Sequence, residues 1–328
     1  MKAISVMRYG GPEVLEIREA PMPKVDDKGV LVRVVATVAA ASDCAFRAGK
    51  PALARVFTGL MRPSKIPGDV FAGVVESIGR GVTRFQPGDR VYGASGEAFG
   101  TNAEFLALQE DAAIEKMPEG IGFAEAACVS EGAITALPFL RDGGNIAEEK
   151  KLLINGASGG VGVYALQLAK YFGAKVTAVC GPDNLDFVRE LGADEVIDYT
   201  KEDFTARREA YDIIFDAVSK SSFARCEGAL APQGVYLTTF PRLGVLLRML
   251  LSGRSGGKRA VFMATGLRKP EEKRKDLLIL NALMEAGKLK AVIGRTFRWQ
   301  QMAEAHRYVE AGHKRGSAAV VIEVGPDA

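Results

Sequence analysis

The chain opens on short apolar runs with no helical period. Ala3–Met7, Val14–Ile17, Val30–Val35 and Ala72–Ile78 are too short for helices and read as strands. Gly10-Gly11-Pro12, Asp26-Asp27-Lys28-Gly29 and Gln86-Pro87-Gly88-Asp89 punctuate them as turns. Many short strands without long helices predict a compact antiparallel barrel over the first 120 or so residues. The period changes at Phe123, where Ala124–Ala127 and Ile134–Leu137 turn helical. Leu152–Ile154 then reads as a strand, followed by a run of small residues and an amphipathic helix through Lys170. Lys175–Cys180, Glu195–Ile197 and Tyr211–Val218 read as further strands, with a helix over Asn184–Leu191 closed by Gly192. Short aliphatic strands alternating with helices predict a doubly wound parallel sheet covered on both faces. A helix at 271–286, a strand near Val292-Ile293, a helix at 300–311 and a strand over Ala318–Val324 close the chain. No internal repeat or low-complexity segment interrupts the pattern.

The strand–turn–helix at 152–170 carries the clearest chemistry. Its turn is Asn155-Gly156-Ala157-Ser158-Gly159-Gly160-Val161-Gly162. A helix N-terminus presents free backbone N–H groups and the positive end of the helix dipole, which favour an anion. On a G-x-G-x-x-G template the three positions are Ala157, Gly159 and Gly162. They serve the tight turn, the close approach of a pyrophosphate and the packing of helix on strand. A glycine-rich turn alone often serves only as a turn, but here it heads a repeated strand–helix pattern. A dinucleotide site is expected.

Composition bounds the rest. The 328 residues, 48% hydrophobic, suffice for two cores. The expected division is 1–122 with 267–328, and 123–266. Forty-three basic against forty acidic residues give no general case for nucleic acid. Cys44, Cys128, Cys180 and Cys226 form no C-x-x-C pair, which points to a reducing compartment and a cytoplasmic protein. The first residues enter a strand pattern without a signal peptide, and no apolar run approaches the roughly 20 residues that span a bilayer. The one charge anomaly is Arg242–Lys275, with ten basic and two acidic residues. Its apolar run, Leu243–Leu251, and the loop Ser252–Gly257 read as a helix of the cofactor domain with a solvated basic loop. The sharper alternative is an amphipathic patch that makes a weak peripheral contact of 242–259 with an anionic membrane or covers an apolar substrate pocket.

The order of barrel, dinucleotide fold and short return resembles the zinc-independent medium-chain dehydrogenases/reductases of the quinone oxidoreductase group. The likeness is carried by Asn155–Gly162 with Gln167 and Lys170, by Gly79–Val91, by Leu191–Tyr199 and by Ala303–Val309. It implies a GroES-like catalytic barrel completed by the C-terminal return, and a Rossmann cofactor domain. Zinc-dependent relatives place their first ligand where this chain has Ala40, two before Ser42-Asp43. The second falls on Asp69, and the third on Glu131, four before Thr135. Alanine and two carboxylates are a poor set for zinc, and the cysteine-rich lobe of the structural zinc is missing. His306 and His313, the only histidines, are expected on a solvated helix face. No metal is expected.

Without a Lewis acid, hydride delivery to a conjugated C=C is easier than to a simple ketone, because the charge spreads onto oxygen. The resemblance accordingly implies NADPH-dependent reduction of quinones, enones or enals. Ser42 is the candidate hydroxyl donor, with helix capping as its structural alternative; Glu131 and Asp69 are candidate acids, with surface or hydrogen-bonded structural roles as their alternative and solvent as the other proton source. Thr135, Ala157, Ser158, Gly159, Gly160, Val161, Gly162, Gly181, Asn184, Tyr199, Ala217 and Val218 are the expected cofactor contacts. NAD sites usually place a carboxylate at the end of the second strand, where this chain has Cys180-Gly181-Pro182. That favours NADPH over NADH, although Arg189 is the nearest cation. The edge strand near Arg259–Ala264 implies a homodimer. A non-catalytic NADPH sensor and an alcohol dehydrogenase are the alternative functions.

Overall fold

A computed structural model describes residues 1–322, apart from 51, 53–54, 64, 241–243, 246–247 and 250–256. Backbone contacts divide the chain into two compact units, Met1–Glu131 with Gly266–Ala328, and Gly132–Thr265. The first unit starts with β1 Lys2–Val6, β2 Leu15–Glu19, β3 Gly29–Ala39, β4 Val70–Ile78, β5 Arg90–Ala94, β6 Phe105–Gln109 and β7 Ala113–Lys116. β1 and β2 form an antiparallel hairpin. β3 is central, pairing with β4 and β6. Its alternate residues Val30, Val32 and Val34 are fully buried against Phe71, Val75 and Ile114. Helix α1, Ala41–Ala48, leaves β3 directly and stops at Gly49, whose φ of 62° suits the left-handed exit.

Helix α2, Phe123–Pro138, continues as a wider π turn over Phe139–Gly143. Together these 21 residues are long and apolar enough to cross a membrane, against the expectation that no run would be. Yet 72% of the most apolar window is buried inside the protein, as a core helix requires.

The second unit contains β8 Lys151–Asn155, α3 Gly162–Tyr171, β9 Lys175–Cys180, α4 Leu185–Glu190, β10 Glu195–Asp198, β11 Tyr211–Asp216, β12 Leu230–Thr238 and β13 Arg259–Phe262. The six strands are parallel, in the order β10-β9-β8-β11-β12-β13. That is the doubly wound Rossmann order, with its switch point between β8 and β11. α4 is shorter than expected because Pro182–Asn184 first makes a 3₁₀ turn. Most of the Leu243–Leu251 and Ser252–Gly257 stretches lies outside the described residues. Of the described cations in that run, Arg248 pairs with Glu227 at 3.0 Å and Arg268 with Asp276.

The chain returns to the first unit through α5 Pro270–Glu285, β14 Ile293–Arg298, α6 Met302–Ala311 and β15 Ser317–Val321. β15 adds antiparallel to β3 and β14 parallel to β15, completing a seven-stranded sheet. The expectation that both histidines face solvent fails for His306, which is fully buried. Its Nδ1 lies 3.2 Å from Arg47 Nη1 and 3.4 Å from Cys44 Sγ. Burial, with the Arg47 charge beside it, pushes the imidazole down to about 3, so it stays neutral. Arg47 also pairs with Glu310 and donates to Gly10 O, so this cluster ties α1 to α6.

Candidate active site

Gly156–Gly162 begins where β8 ends. Gly156 takes φ of 84°, and a Cβ there would lie 2.4 Å from Val218 Cγ1. The tight turn is therefore at Gly156, one residue before the Ala157 that the template indicates. Gly162 opens α3, and a Cβ on it would meet Gly156 O at 2.1 Å and Ala157 Cα at 2.8 Å. Only glycine lets the helix start this close to its strand. A Cβ on Gly159 would meet nothing nearer than Gly156 O at 3.5 Å, so its outer side is open. An open glycine next to a helix N-terminus is the cradle that a pyrophosphate requires.

The other expected cofactor residues gather at the carboxyl ends of the same parallel strands. Gly181 follows β9, Tyr199 follows β10, and Ala217 and Val218 follow β11. The Tyr199 hydroxyl would lie 3.2 Å from a Cβ on Gly181. Asn184 is buried and donates to Ser158 Oγ at 3.3 Å. Ala217 N–H donates to Asn155 O at 3.1 Å, and Val218 is exposed. Thr135 lies one helical turn beyond Gly132, where a Cβ would meet Gly160 O at 2.3 Å. Beneath the turn, buried Asp216 accepts from Asn155 Nδ2 at 2.9 Å, Ser221 N at 2.8 Å, Lys220 N at 3.2 Å and Tyr236 Oη at 2.8 Å. A buried carboxylate with four donors fixes the ends of β8, β11 and β12.

In the other unit, Ser42, Asp69 and Glu131 come from α1, the segment leading into β4, and α2. Ser42 is exposed at the second position of α1. It is not the cap: Asp43 accepts the Ala40 N–H at 2.9 Å. Burial raises Asp43 well above the usual carboxylate range, and Asp69 and Glu131 add to this against the opposing Ala40 bond. Asp69 is also raised by burial, with Lys273 opposing. Glu131 is raised by burial and Asp69, against Lys314 and the Ser317 hydroxyl 3.2 Å away. Three carboxyls thus share one patch with two lysines. Lys273 Nζ donates to Gly266 O at 2.6 Å and Lys314 Nζ to Gly316 O at 2.8 Å. Burial lowers both ammonium groups from the usual lysine range.

Asp43 and the two lysines are the members that sequence reasoning missed. Asp43 sits at the third position of its helix, where a carboxylate is an ordinary capping device. Lys273 and Lys314 lie far along the chain from residues 43, 69 and 131, and no motif links them. Among the described residues, no group of three or more His, Cys, Asp or Glu has a geometry that could hold a metal.

Residues 26–139 match the family model described as the alcohol dehydrogenase GroES-like domain, and 191–320 match the zinc-binding dehydrogenase model. The chain is 33% identical over 360 residues to the mitochondrial NAD(P)H oxidoreductase RTN4IP1 of Mus musculus, covering 98% of this chain and 89% of that one. It is 32% identical over 339 residues to the chloroplastic NADPH-dependent alkenal/one oxidoreductase of Arabidopsis thaliana, covering 98% and 79%. The solved quinone oxidoreductase of Coxiella burnetii superposes with a TM-score of 0.87 at 27% identity, covering 99% of each chain.

Proposed function

This chain belongs to the medium-chain dehydrogenase/reductase family, in its quinone oxidoreductase group, and from that premise we propose that it reduces quinones, enones or enals with NADPH. The observation that carries this reading is the Gly156–Gly162 turn at the switch point, with Gly159 open above it. Residues 123–266 serve as the cofactor domain, and 1–122 with 267–328 as the catalytic domain. NADPH, when bound, supplies a hydride for the β-carbon of the acceptor. The N–H groups at the start of α3 hold the pyrophosphate, Gly181, Asn184 and Tyr199 the adenosine end, and Thr135, Ala217 and Val218 the nicotinamide end.

The acceptor's oxygen gains negative charge as the hydride arrives, and a hydroxyl such as Ser42 can donate to it without changing charge. A proton must then reach the α-carbon. Asp69 and Glu131, raised by burial, are poised to hold one. Zinc has no place here, because Ala40 offers no donor and Lys273 and Lys314 set cations against the carboxyls. NADPH is preferred because no carboxylate stands at Gly181. Asp198 at the end of β10 already accepts from Thr200 N at 2.9 Å and Oγ1 at 2.7 Å. Arg189 is tied to Asp186 at 2.6 Å, whereas the exposed Lys201 beside Tyr199 has only a loose 3.9 Å pairing with Asp198 and is the cation more easily turned to a 2′-phosphate. Four buried free cysteines fit a reducing compartment, and we place the protein in the cytoplasm.

The test is oxidation of NADPH and NADH against quinones, crotonaldehyde and 2-cyclohexen-1-one, with primary alcohols and added zinc as controls. Turnover with NADPH is expected at a kcat/KM about tenfold or more above NADH, unchanged by chelation and without stoichiometric zinc. Tight NADPH binding without turnover would favour a sensor. Alcohol oxidation that requires zinc would favour a dehydrogenase.

A further inference from the structure

Large apolar side chains scattered singly over a surface are ordinary, but a cluster of them marks a contact. Val56, Leu60 and Met61 are 62%, 73% and 93% exposed, the three highest values for large apolar residues among the described residues, and one short turn carries all three. That turn is pinned at its base. It begins as a single helical turn, Arg55–Thr58, and Gly59 N–H donates to Arg55 O at 2.8 Å. Tyr9 Oη lies 2.8 Å from Thr58 Oγ1 and donates to Gly59 O. The Arg55 guanidinium covers the Tyr9 ring at 4.7 Å from its centroid, and its Nε donates to Gly49 O at 3.3 Å. Thr58 is buried by these contacts, and Leu60 and Met61 are left outward.

The charge around the turn has one sign. From Cys44 to Gly68 the chain has five cations and no acidic residue. Arg47 is buried and paired with Glu310. Lys50, Arg62 and Lys65 are exposed, and among the described residues none of these three is paired with a carboxylate. Lys65 Nζ donates to Glu97 O at 2.6 Å, a neutral acceptor that leaves its charge uncancelled. A second copy of this face is a poor partner, because a twofold contact would set like charges against each other. An apolar tip flanked by cations matches a surface that is anionic outside and apolar beneath, which is a bilayer of acidic lipids.

We propose that the 55–62 turn docks the protein on an anionic lipid surface. Leu60 and Met61 enter the boundary between headgroups and acyl chains, while Lys50, Arg62 and Lys65 face the headgroup phosphates. Each such cation strengthens the attraction about fivefold. Docking here is independent of the reaction proposed above.

Flotation of the whole chain with vesicles tests it, using phosphatidylcholine alone and phosphatidylcholine with about 30% phosphatidylglycerol. The parent should bind the mixed vesicles about tenfold or more tightly than the neutral ones, and about 0.5 M salt should release it. Leu60→Asp with Met61→Asp should weaken binding about tenfold or more, as should Lys50→Ser with Arg62→Ser, while Met61→Leu should stay within about threefold of the parent. All these side chains are exposed, so each variant should keep the parent's melting temperature. Met61→Trp supplies a second readout, since the native Trp299 is buried and shielded from lipid. Its emission should move to the blue on the mixed vesicles. Binding to neither vesicle, equal binding to both, or binding that survives Leu60→Asp with Met61→Asp overturns the proposal, and so does an unmoved Met61→Trp emission. A dimer that Leu60→Asp with Met61→Asp splits, with no lipid binding by the parent, would make this face a contact between copies instead.

Discussion

Asp43 shows how one residue can look structural in sequence and become chemical in space. Its carboxylate accepts the Ala40 N–H, as a capping residue would, yet it is also buried among Asp69 and Glu131. Arg47 and the Cys44 thiol, itself pushed up to about 12 by burial, flank it on the same helix. A carboxyl whose pKa is raised on folding binds its proton more tightly in the native chain. Its contribution to stability is complete below the unfolded value of about 3.9 and is lost as pH rises through the folded value. Asp43→Asn keeps an acceptor for Ala40 and removes the charge. The difference in melting temperature should therefore shift in the variant's favour between about pH 4 and pH 8. A pH-independent difference would show that Asp43 is already ionised without penalty. The same contrast explains why Asp43 was hidden: the sequence shows a carboxylate in a first helical turn, and only packing reveals that water has been removed from it.

At the scale of elements, most of the fold was legible because each strand and helix announces its own period. β9 runs over the expected Lys175–Cys180, and α5 covers the expected 271–286 to within one residue. What escaped was local geometry inside correctly placed elements. The template put the turn at Ala157, but positive φ falls on Gly156, a property of the backbone that no hydrophobic pattern records. His306 did carry a signal. Met302, Ala305, His306 and Val309 are the buried stripe of α6 at i, i+3, i+4 and i+7, so the period alone puts the imidazole inside. The two glycines of the turn separate structure from binding. Gly162→Ala drives a Cβ against backbone at 2.1 Å and should destabilise the chain by about 1–3 kcal/mol or more, with loss of NADPH binding. Gly159→Ala meets only an ordinary 3.5 Å contact, so its stability should stay within about 0.5 kcal/mol of the parent. Its NADPH dissociation constant should nevertheless rise about tenfold or more, as read by titration of cofactor fluorescence. Parallel losses of stability in both variants would mean that Gly159 serves the fold and not the phosphate.

At the scale of the whole molecule, the second unit's sheet presents two edges of different character. β10 is four residues, Glu195-Val-Ile-Asp198, with a carboxylate at each end that discourages another strand. β13, Arg259-Ala-Val-Phe262, carries one charge and pairs parallel with β12 on its inner side. The Phe262 N–H donates at 3.4 Å to the thioether of Met249, one of the weakest acceptors a protein has. Among the described residues this edge amide meets sulfur, and a better acceptor would release more hydrogen-bonding energy. A second copy related by a twofold axis can supply such acceptors from its own β13, in an isologous contact that closes on itself. We therefore expect a homodimer joined at this edge. Light scattering at micromolar concentration should give twice the chain mass. Phe262→Lys sets a charge on each copy at the contact and should return the mass to a single chain while leaving NADPH affinity unchanged, since Phe262 is remote in sequence from every proposed cofactor contact. A parent protein that stays at one chain mass at tens of micromolar would mean that the thioether contact is protection enough for β13.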